Sequence, residues 1–245
     1  MKIDVFLLCY NESLMIRHTL NHYLKFCHEL TIIDNQSSDN SLNIIREEYP
    51  SVIIETFNTS GFSREDIQTD IKNICWKNSQ ADYVIVCDMD EFLYDESLEL
   101  KLSLLNKHKP AICSIIGFEM FSKQFPLNYK TPITQQVKHG LRNYRFDKSI
   151  MFNPKKVKEI NYDYGAHTCN PEFYNKKEND FLVEFKLLHY KYLGKTYLYK
   201  RHLNYSNRLS KLNILNTLGK EYRKGKRHID KKFKNASKYI VQIIP

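Results

Sequence analysis

Glycine and proline are scarce, seven of each in 245 residues, which excludes a collagen-like chain and leaves little material for flexible linkers. No stretch approaches the eighteen or so uninterrupted apolar residues of a membrane-spanning helix. The opening Met1-Lys2-Ile3-Asp4-Val5-Phe6-Leu7-Leu8 lacks the longer apolar run and small-residue cleavage site of a secretory leader, and it reads as a strand. The six cysteines (Cys9, Cys27, Cys75, Cys87, Cys113 and Cys169) stand singly in apolar stretches with no CxxC pair. They read as buried thiols of a reducing compartment and not as a disulfide framework, so a cytoplasmic location is expected. Internal repeats and low-complexity tracts are also missing. Acidic residues are nearly absent from one region: residues 186–245 hold 16 Lys/Arg and 2 Asp/Glu, a net +14, whereas residues 1–185 hold 21 and 26, a net −5. The overall +9 therefore belongs to the last quarter of the chain.

What is present is a globular composition, 42% hydrophobic and 27% charged, suited to one large domain or a domain with an appendage. The first half alternates strand-like and helix-like segments. Ile3–Leu8 is a continuous apolar run, with shorter relatives at Leu30–Ile33 and Val52–Glu55, and Tyr83–Cys87 is rich in β-branched residues. Helical patterns lie between them. One starts near Ser13 and runs towards His28, one opens after Ser37-Ser38-Asp39-Asn40, and one spans roughly Arg64–Ser79 with Ile67, Ile71, Ile74 and Cys75 on one face. Alternating order with unbroken apolar strands predicts an α/β fold, Rossmann-like, with a mostly parallel sheet covered on both faces. Ala111–Gly117 reads as a further buried strand, followed by aromatic, loop-rich sequence to Lys177. From Lys195 the chain turns helical and basic.

Ligands of such sheets bind at the carboxyl ends of the strands, and those ends are unusually polar here. The first gives Tyr10-Asn11-Glu12-Ser13, the second Asp34-Asn35-Gln36-Ser37-Ser38-Asp39, and the strand at 83–87 runs into Asp88-Met89-Asp90-Glu91-Phe92. On extended backbone Asp88 and Asp90 point the same way, a hard-oxygen pair suited to Mg²⁺ or Mn²⁺ and, through the cation, to a diphosphate. An isolated D-x-D is more often a solvated acidic turn; its place at the end of a buried strand gives this one its weight.

These segments together resemble the nucleotide-sugar-binding half of GT-A fold glycosyltransferases, in particular family 2 members carrying D-x-D-E-F. The resemblance is specific over residues 1–95. It continues more weakly through Asp147–Pro154, Tyr164-Gly165-Ala166-His167 and Leu188-His189-Tyr190. It implies a GT-A catalytic domain over 1–190, with 1–95 binding the nucleotide-sugar donor and 96–190 the acceptor, and a basic helical extension over 191–245. Tyr10, Asn11 and Glu12 would flank the nucleoside and Asp34 would meet the base, uridine by resemblance. Lys72-Asn73 stands where the family commonly has Arg-Asn, although Lys lacks the bidentate fork of Arg. Asp88 and Asp90 would hold the metal and diphosphate, His167 would complete the metal site as Mn²⁺ in particular would favour, and Lys148 would neutralise the leaving diphosphate. The implied activity is metal-dependent transfer of a sugar to a hydroxyl of a glycan or lipid-linked acceptor, in the inverting manner, which requires a carboxylate base. Glu119 is the first candidate, with Asp147 and Asp163 behind it. His189, in an aromatic run, reads as a packed residue.

In the tail, Lys and Arg interleave with Tyr199, Tyr205, Tyr222 and Phe233. A stripe of Leu209, Leu212, Ile214, Leu215 and Leu218 is expected to dock on the catalytic domain, leaving the charged face for an anionic membrane or an anionic glycan. Two other classes compete. A nucleic-acid-binding α/β protein would draw on the basic tail, but the first 185 residues are acidic and carry no RRM, KH or helix-turn-helix signature, so no nucleic acid partner is expected. A nucleotidyltransferase would bring a Gly-rich basic loop after the first strand, which Tyr10-Asn11-Glu12-Ser13 is not.

Overall fold

The computed structural model describes residues 1–175 and 183–245. The chain runs β1 (Ile3–Cys9), α1 (Ile16–Tyr23), β2 (Glu29–Asp34), α2 (Ser41–Glu48), β3 (Ile53–Thr56), α3 (Glu65–Ile74), β4 (Tyr83–Asp88), β5 (Glu91–Tyr94), α4 (Leu98–His108) and β6 (Ser114–Ser122). Short elements follow: α5 (Ile133–Gln136), β7 (His139–Arg142), β8 (Met151–Phe152), β9 (Val157–Glu159) and β10 (Glu172–Phe173). Then come β11 (Glu184–Leu193), α6 (Lys195–Arg208), α7 (Lys211–Leu215), α8 (Lys226–Ala236) and β12 (Val241–Gln242).

Two five-stranded sheets share the work. The first has the order β3-β2-β1-β4-β8, parallel except for β8. All seven residues of β1 are buried, which explains the unbroken apolar run. Its side chains alternate between two cores: Val5 and Leu7 join Ile16, Leu20 and Tyr23, while Phe6 and Leu8 join Trp76 and Phe152 on the other face. β4 divides in the same way. Chain order reverses between β2 and β4 on either side of β1, so the crevice beyond their carboxyl ends is the natural ligand site. The second sheet, β12-β7-β6-β11-β5, begins where β4 ends, because only Met89-Asp90 separates β4 from β5. The D-x-D segment is therefore the hinge between sheets, and the α/β fold class is that of the sequence expectation.

Several local expectations need correction. α1 has no side-chain cap at Ser13 and ends at Tyr23. α3 packs Ile71 and Cys75 against the core as expected, but it also buries Thr69 and Lys72 and leaves Ile74 59% exposed. The strand foreseen at 111–117 begins at Ser114 and runs on to Ser122. The apolar stripe of the tail does not dock: Leu212 and Ile214 are about two-fifths exposed and Leu215 is 77% exposed. α7 is too short to present a stripe, and it is fastened by polar groups, with Asn213 Nδ2 donating to the Ser63 carbonyl at 2.9 Å. Docking falls instead to α6 and α8, through a cluster of Phe121, Tyr192, Leu198, Ile229 and Phe233. All six cysteines are free, and Cys9, Cys87 and Cys113 are fully buried. Among the described residues no helix is long and apolar enough to cross a membrane.

Gly117 sits on β6 directly beneath Phe146, where an added Cβ would come within 2.3 Å of the Phe146 Cβ and 2.4 Å of its backbone carbon. Backbone on one side leaves no flexible atom to yield. Gly117→Ala should lower the free energy of unfolding by ~1–3 kcal/mol, the usual range for overpacking. Urea denaturation would check this, and a midpoint equal to wild type would show that the 117–146 contact relaxes freely.

Candidate active site

The crevice at the sheet switch point opens into a cleft of about 620 Å³ lined by residues from the ends of β1 and β4, by β6 and β11, and by α6. Its floor is set by backbone geometry. Asn11 holds a left-handed φ of 54°, which Asn tolerates better than most residues. Its Oδ1 accepts from the backbone N–H of Ser38 at 2.7 Å and of Asp39 at 3.2 Å, joining the loop after β1 to the loop after β2. The Glu12 carbonyl accepts from Met15 and Ile16 and opens α1, and its backbone N–H donates to Ser41 Oγ. Glu12 is thereby fixed with its carboxylate in the cleft.

That carboxylate meets a residue that sequence reasoning did not single out. Arg201, on α6, places Nη1 at 2.7 and 2.9 Å from the two Glu12 oxygens and Nη2 at 2.9 Å from Asp90 Oδ2. His189 Nε2 lies 3.2 Å from the same Asp90 oxygen, and His189 Nδ1 lies 3.8 Å from Glu119 Oε1. The imidazole stacks on Phe146 at 4.1 Å. Burial by itself would lower the His189 pKa, but Asp90 and then Glu119 outweigh it and lift the value to about 8. His189 is thus an imidazolium between two carboxylates and not an inert packed residue. Burial raises Glu12 to about 7 against the pull of Arg201, with Asp90 adding to the rise. Asp90 would also be raised by burial, yet Arg201 and then His189 hold it far below the ordinary carboxylate range. Glu119, which burial alone would raise, is held below its usual value by His189 and Lys191.

The other sequence candidates divide clearly. Tyr10, Asn11, Glu12, Lys72, Asp88, Asp90, Glu119, Lys148 and His167 line the cleft. Lys72 is buried with Nζ 2.7 Å from Asp88 Oδ1, an end-on pair with one carboxylate oxygen. Lys148 Nζ is 2.5 Å from Glu91 Oε1 in a fully enclosed pair, so its charge is already spent on the turn that follows the D-x-D. Four candidates stand off the cleft wall. Asp34 is fully buried and accepts from the Ser37 N–H and hydroxyl, which shapes the loop that Asn11 grips. Asn73 is tied to the backbone of Tyr162 through both ends of its amide. Asp147 accepts from Gly117 N–H and pairs with Arg142, and Asp163 accepts from Thr168. Of the three base candidates, Glu119 alone faces the cleft.

Asp88 and Asp90 supply hard oxygens of the kind a divalent cation takes. The Asp88 side chain is 39% exposed. Asp90 Oδ2 is buried, 2.9 Å from Arg201 Nη2 and 3.2 Å from His189 Nε2. This donor pair fits Mn²⁺ or Mg²⁺. His167 does not join it: among the described residues no three His, Cys, Asp or Glu side chains are grouped closely enough to hold a cation. The His167 ring is instead held by a 2.8 Å hydrogen bond from Nδ1 to the Arg145 carbonyl and an edge contact with Phe146. The missed residue Arg201 left one legible signal. Tyr197, Arg201, Tyr205 and Arg208 recur at helical spacing, which puts two arginines on the inner, aromatic face of a helix.

Because the His189 pKa lies above 6.5 in the folded chain, its charge stabilises the fold fully below that value and the contribution is lost as pH rises through about 8. Wild type should lose roughly 1–2 kcal/mol of unfolding free energy between pH 6.5 and 9, and His189→Asn should show a flatter profile. Chemical denaturation across that range checks the sign, and parallel profiles would remove His189 from the account.

Among curated proteins none matches the sequence. Solved structures similar to it include the S. aureus TarS fragment 1-349 in complex with UDP, at 14% identity over 85% of this chain and 65% of that one, with a TM-score of 0.46. Another is a mannosyltransferase from Pyrobaculum calidifontis in complex with GDP-Man and Mn²⁺, at 16% identity over 53% and 37% and a TM-score of 0.34. A third is glucosyl-3-phosphoglycerate synthase from Mycobacterium tuberculosis with Mn²⁺, UDP and phosphoglyceric acid, at 16% identity over 48% and 43% and a TM-score of 0.32. The chain spans 65% of the length of the TarS fragment. The profile of glycosyl transferase family 2 matches residues 4–169, more than half of the 245 residues, and the chain belongs to that family.

Proposed function

We propose that the chain transfers a sugar from a nucleoside-diphosphate sugar, UDP-linked, to a hydroxyl of a glycan or lipid-linked acceptor, with inversion and with the help of Mn²⁺ or Mg²⁺. The observation that carries this reading is the convergence of Asp88, Asp90, Glu12 and Glu119 on one cleft at the switch point of a family 2 chain. Tyr10, Asn11 and Glu12 flank the nucleoside, and Asp88 and Asp90 hold the cation. A bound cation would offset charge on the departing diphosphate. Residues 1–95 form the donor half and 96–190 the acceptor half, but 191–245 is more than an appendage, since α6 supplies Arg201 to the donor carboxylates.

In the transfer, the acceptor oxygen forms a bond to the anomeric carbon while the bond from that carbon to the diphosphate oxygen breaks, and the electron pair leaves with the diphosphate. Glu119 takes the acceptor proton; it is ionised at neutral pH because His189 and Lys191 hold its pKa down against burial. His189, between Glu119 and Asp90, offsets the repulsion between the two carboxylates.

A second feature of the tail supports peripheral contact with an anionic membrane. Leu212, Ile214 and Leu215 are exposed beside Lys211, an apolar tip with basic flanks. Liposomes rich in anionic lipid should float wild type, and the triple change Leu212→Ser, Ile214→Ser and Leu215→Ser should reduce this severalfold. Equal flotation with neutral lipid would remove the electrostatic half of the reading.

Asp90 is 3% exposed and pairs with Arg201, so Asp90→Ala would leave a buried cation short of a partner and confuse folding with function. Asp90→Asn keeps the shape. It should retain the fold by circular dichroism, weaken Mn²⁺-dependent UDP binding by at least ~10-fold and abolish transfer. Unchanged Mn²⁺-dependent UDP binding would overturn the assignment of the pair.

A further inference from the structure

The two ends of α6 are held in different ways. Tyr197 and Leu198 in its first turn are fully buried, whereas farther on Tyr205 and Leu209 are half-buried and Leu203 is exposed. The far end is fastened by polar contacts with the loop that precedes α3. The Ser63 N–H donates to the Arg208 carbonyl at 2.6 Å, and Arg208 donates from Nε and Nη2 to the carbonyls of Gly61 and Phe62 at 2.9 and 3.2 Å. Asn213, just beyond, donates to the Ser63 carbonyl. A segment with few buried apolar contacts, tied down by hydrogen bonds, opens locally at small cost.

Two guanidinium groups on this segment lie on residues assigned to the donor. Arg201 directs Nη1 to both oxygens of Glu12 and Nη2 to Asp90 Oδ2. Arg208 lies 3.1 Å over the centroid of the Tyr10 ring, which leaves no room for a further plane between them. A divalent cation on Asp90 would stand close to the Arg201 guanidinium, where like charges repel. A nucleoside hydroxyl on Glu12 would compete with Nη1, and a base on that face of Tyr10 would take the place of Arg208. The two arginines are about two turns apart on one helix, so their contacts release together.

We propose that the α6–α7 segment is a gate on the donor side of the cleft, latched by Arg201 on Glu12 and Asp90 and by Arg208 on Tyr10, and that a nucleoside diphosphate with its divalent cation enters only as both latches release. The inference rests on the glycosyl-transfer reading and adds to it how the donor enters. α6 pivots about its buried first turn. The exchange leaves no carboxylate uncompensated: the cation replaces the guanidinium on Asp90, and Arg201, whose side chain is already 19% exposed, turns to water. Removing a latch raises the share of chains open to the donor, and binding tightens in proportion.

The test uses the full chain and two variants. Arg208→Gln removes one latch without touching the carboxylates. Ser63→Cys with Leu209→Cys holds the gate shut, because these residues pair in a single parallel bridge. Neighbouring strands lie ~4.8 Å apart, a Cα separation that a disulfide spans. Calorimetry reads UDP binding in saturating Mn²⁺, and mass spectrometry reads amide exchange of residues 199–215 without ligand. Arg208→Gln should bind UDP about three- to tenfold more tightly than wild type and exchange faster across 199–215. The oxidised double-cysteine chain should bind at least ~10-fold more weakly, and reductant should restore wild-type affinity. The gate is overturned if UDP binds wild type and Arg208→Gln binds it no more tightly, or if the oxidised chain, its cross-link verified by peptide mapping, binds like the reduced one. Should the cross-link not form, the Arg208→Gln arm decides alone. If neither wild type nor Arg208→Gln binds UDP, the donor assignment fails, and the latch is judged by exchange, where unchanged protection in Arg208→Gln overturns it.

Discussion

The guanidinium of Arg201 joins three places far apart in the chain: the loop after β1 through Glu12, the junction of the two sheets through Asp90, and the tail through α6 itself. Its charge lies between two carboxylates in a buried setting, where a charge persists only if its partners stay in place. The consequence runs in both directions. α6 fixes the end of the cleft that holds Glu12 and Asp90, and the carboxylates add to the apolar contact of Leu198 by which α6 docks. Removing either partner would cost more than the pair contributes net, because the survivor stays buried and uncompensated.

The same logic explains the neighbouring pairs. Lys72 is held in the interior by Asp88 beside the packed Ile71 and Cys75, while Ile74 of the same helix is exposed. Lys148 and Glu91 enclose one another beneath the turn that follows Asp90. The D-x-D segment is thus clamped on each side by a protein cation, and its position between two sheets leaves it little freedom to adjust. Precise placement of carboxylates on rigid elements is what a site needs if it is to bind charge without reorganising.

How far the sequence disclosed this depends on the range of the interaction. Strands β1, β2 and β4 were legible because burial on both faces writes continuous apolar runs, and the polar residues after them were legible because a strand end cannot be buried without a purpose. Glu119 was singled out as following a buried strand, but it lies within β6, whose run to Ser122 carries it to the cleft. Asp34, Asn73, Asp147 and Asp163 share the chemistry of site residues but are consumed by local hydrogen bonds, to Ser37, Tyr162, Gly117 and Thr168, that no spacing rule reveals. Arg201 and His189 were illegible for the opposite reason. Their partners lie 189 and 99 positions away along the chain, counting from Glu12 to Arg201 and from Asp90 to His189, so only the fold assembles them. The apolar stripe of the tail misled because five residues of α7 are too few to turn a hydrophobic pattern into a buried face.

The pairing also changes what titrates. Metal sites built from carboxylates ordinarily compete with protons for their ligands. Here Lys72 and Lys148 hold Asp88 below its usual range against burial, and Arg201 and His189 do the same for Asp90. Both carboxylates are therefore ionised across the physiological range. The groups that change charge near neutrality are Glu12, raised to about 7 chiefly by burial, and His189, lifted to about 8 by Asp90 and then Glu119. Both sit against the Arg201–Asp90 pair, His189 on Asp90 and Glu12 on Arg201, so protonation near neutrality changes the charge of one connected cluster.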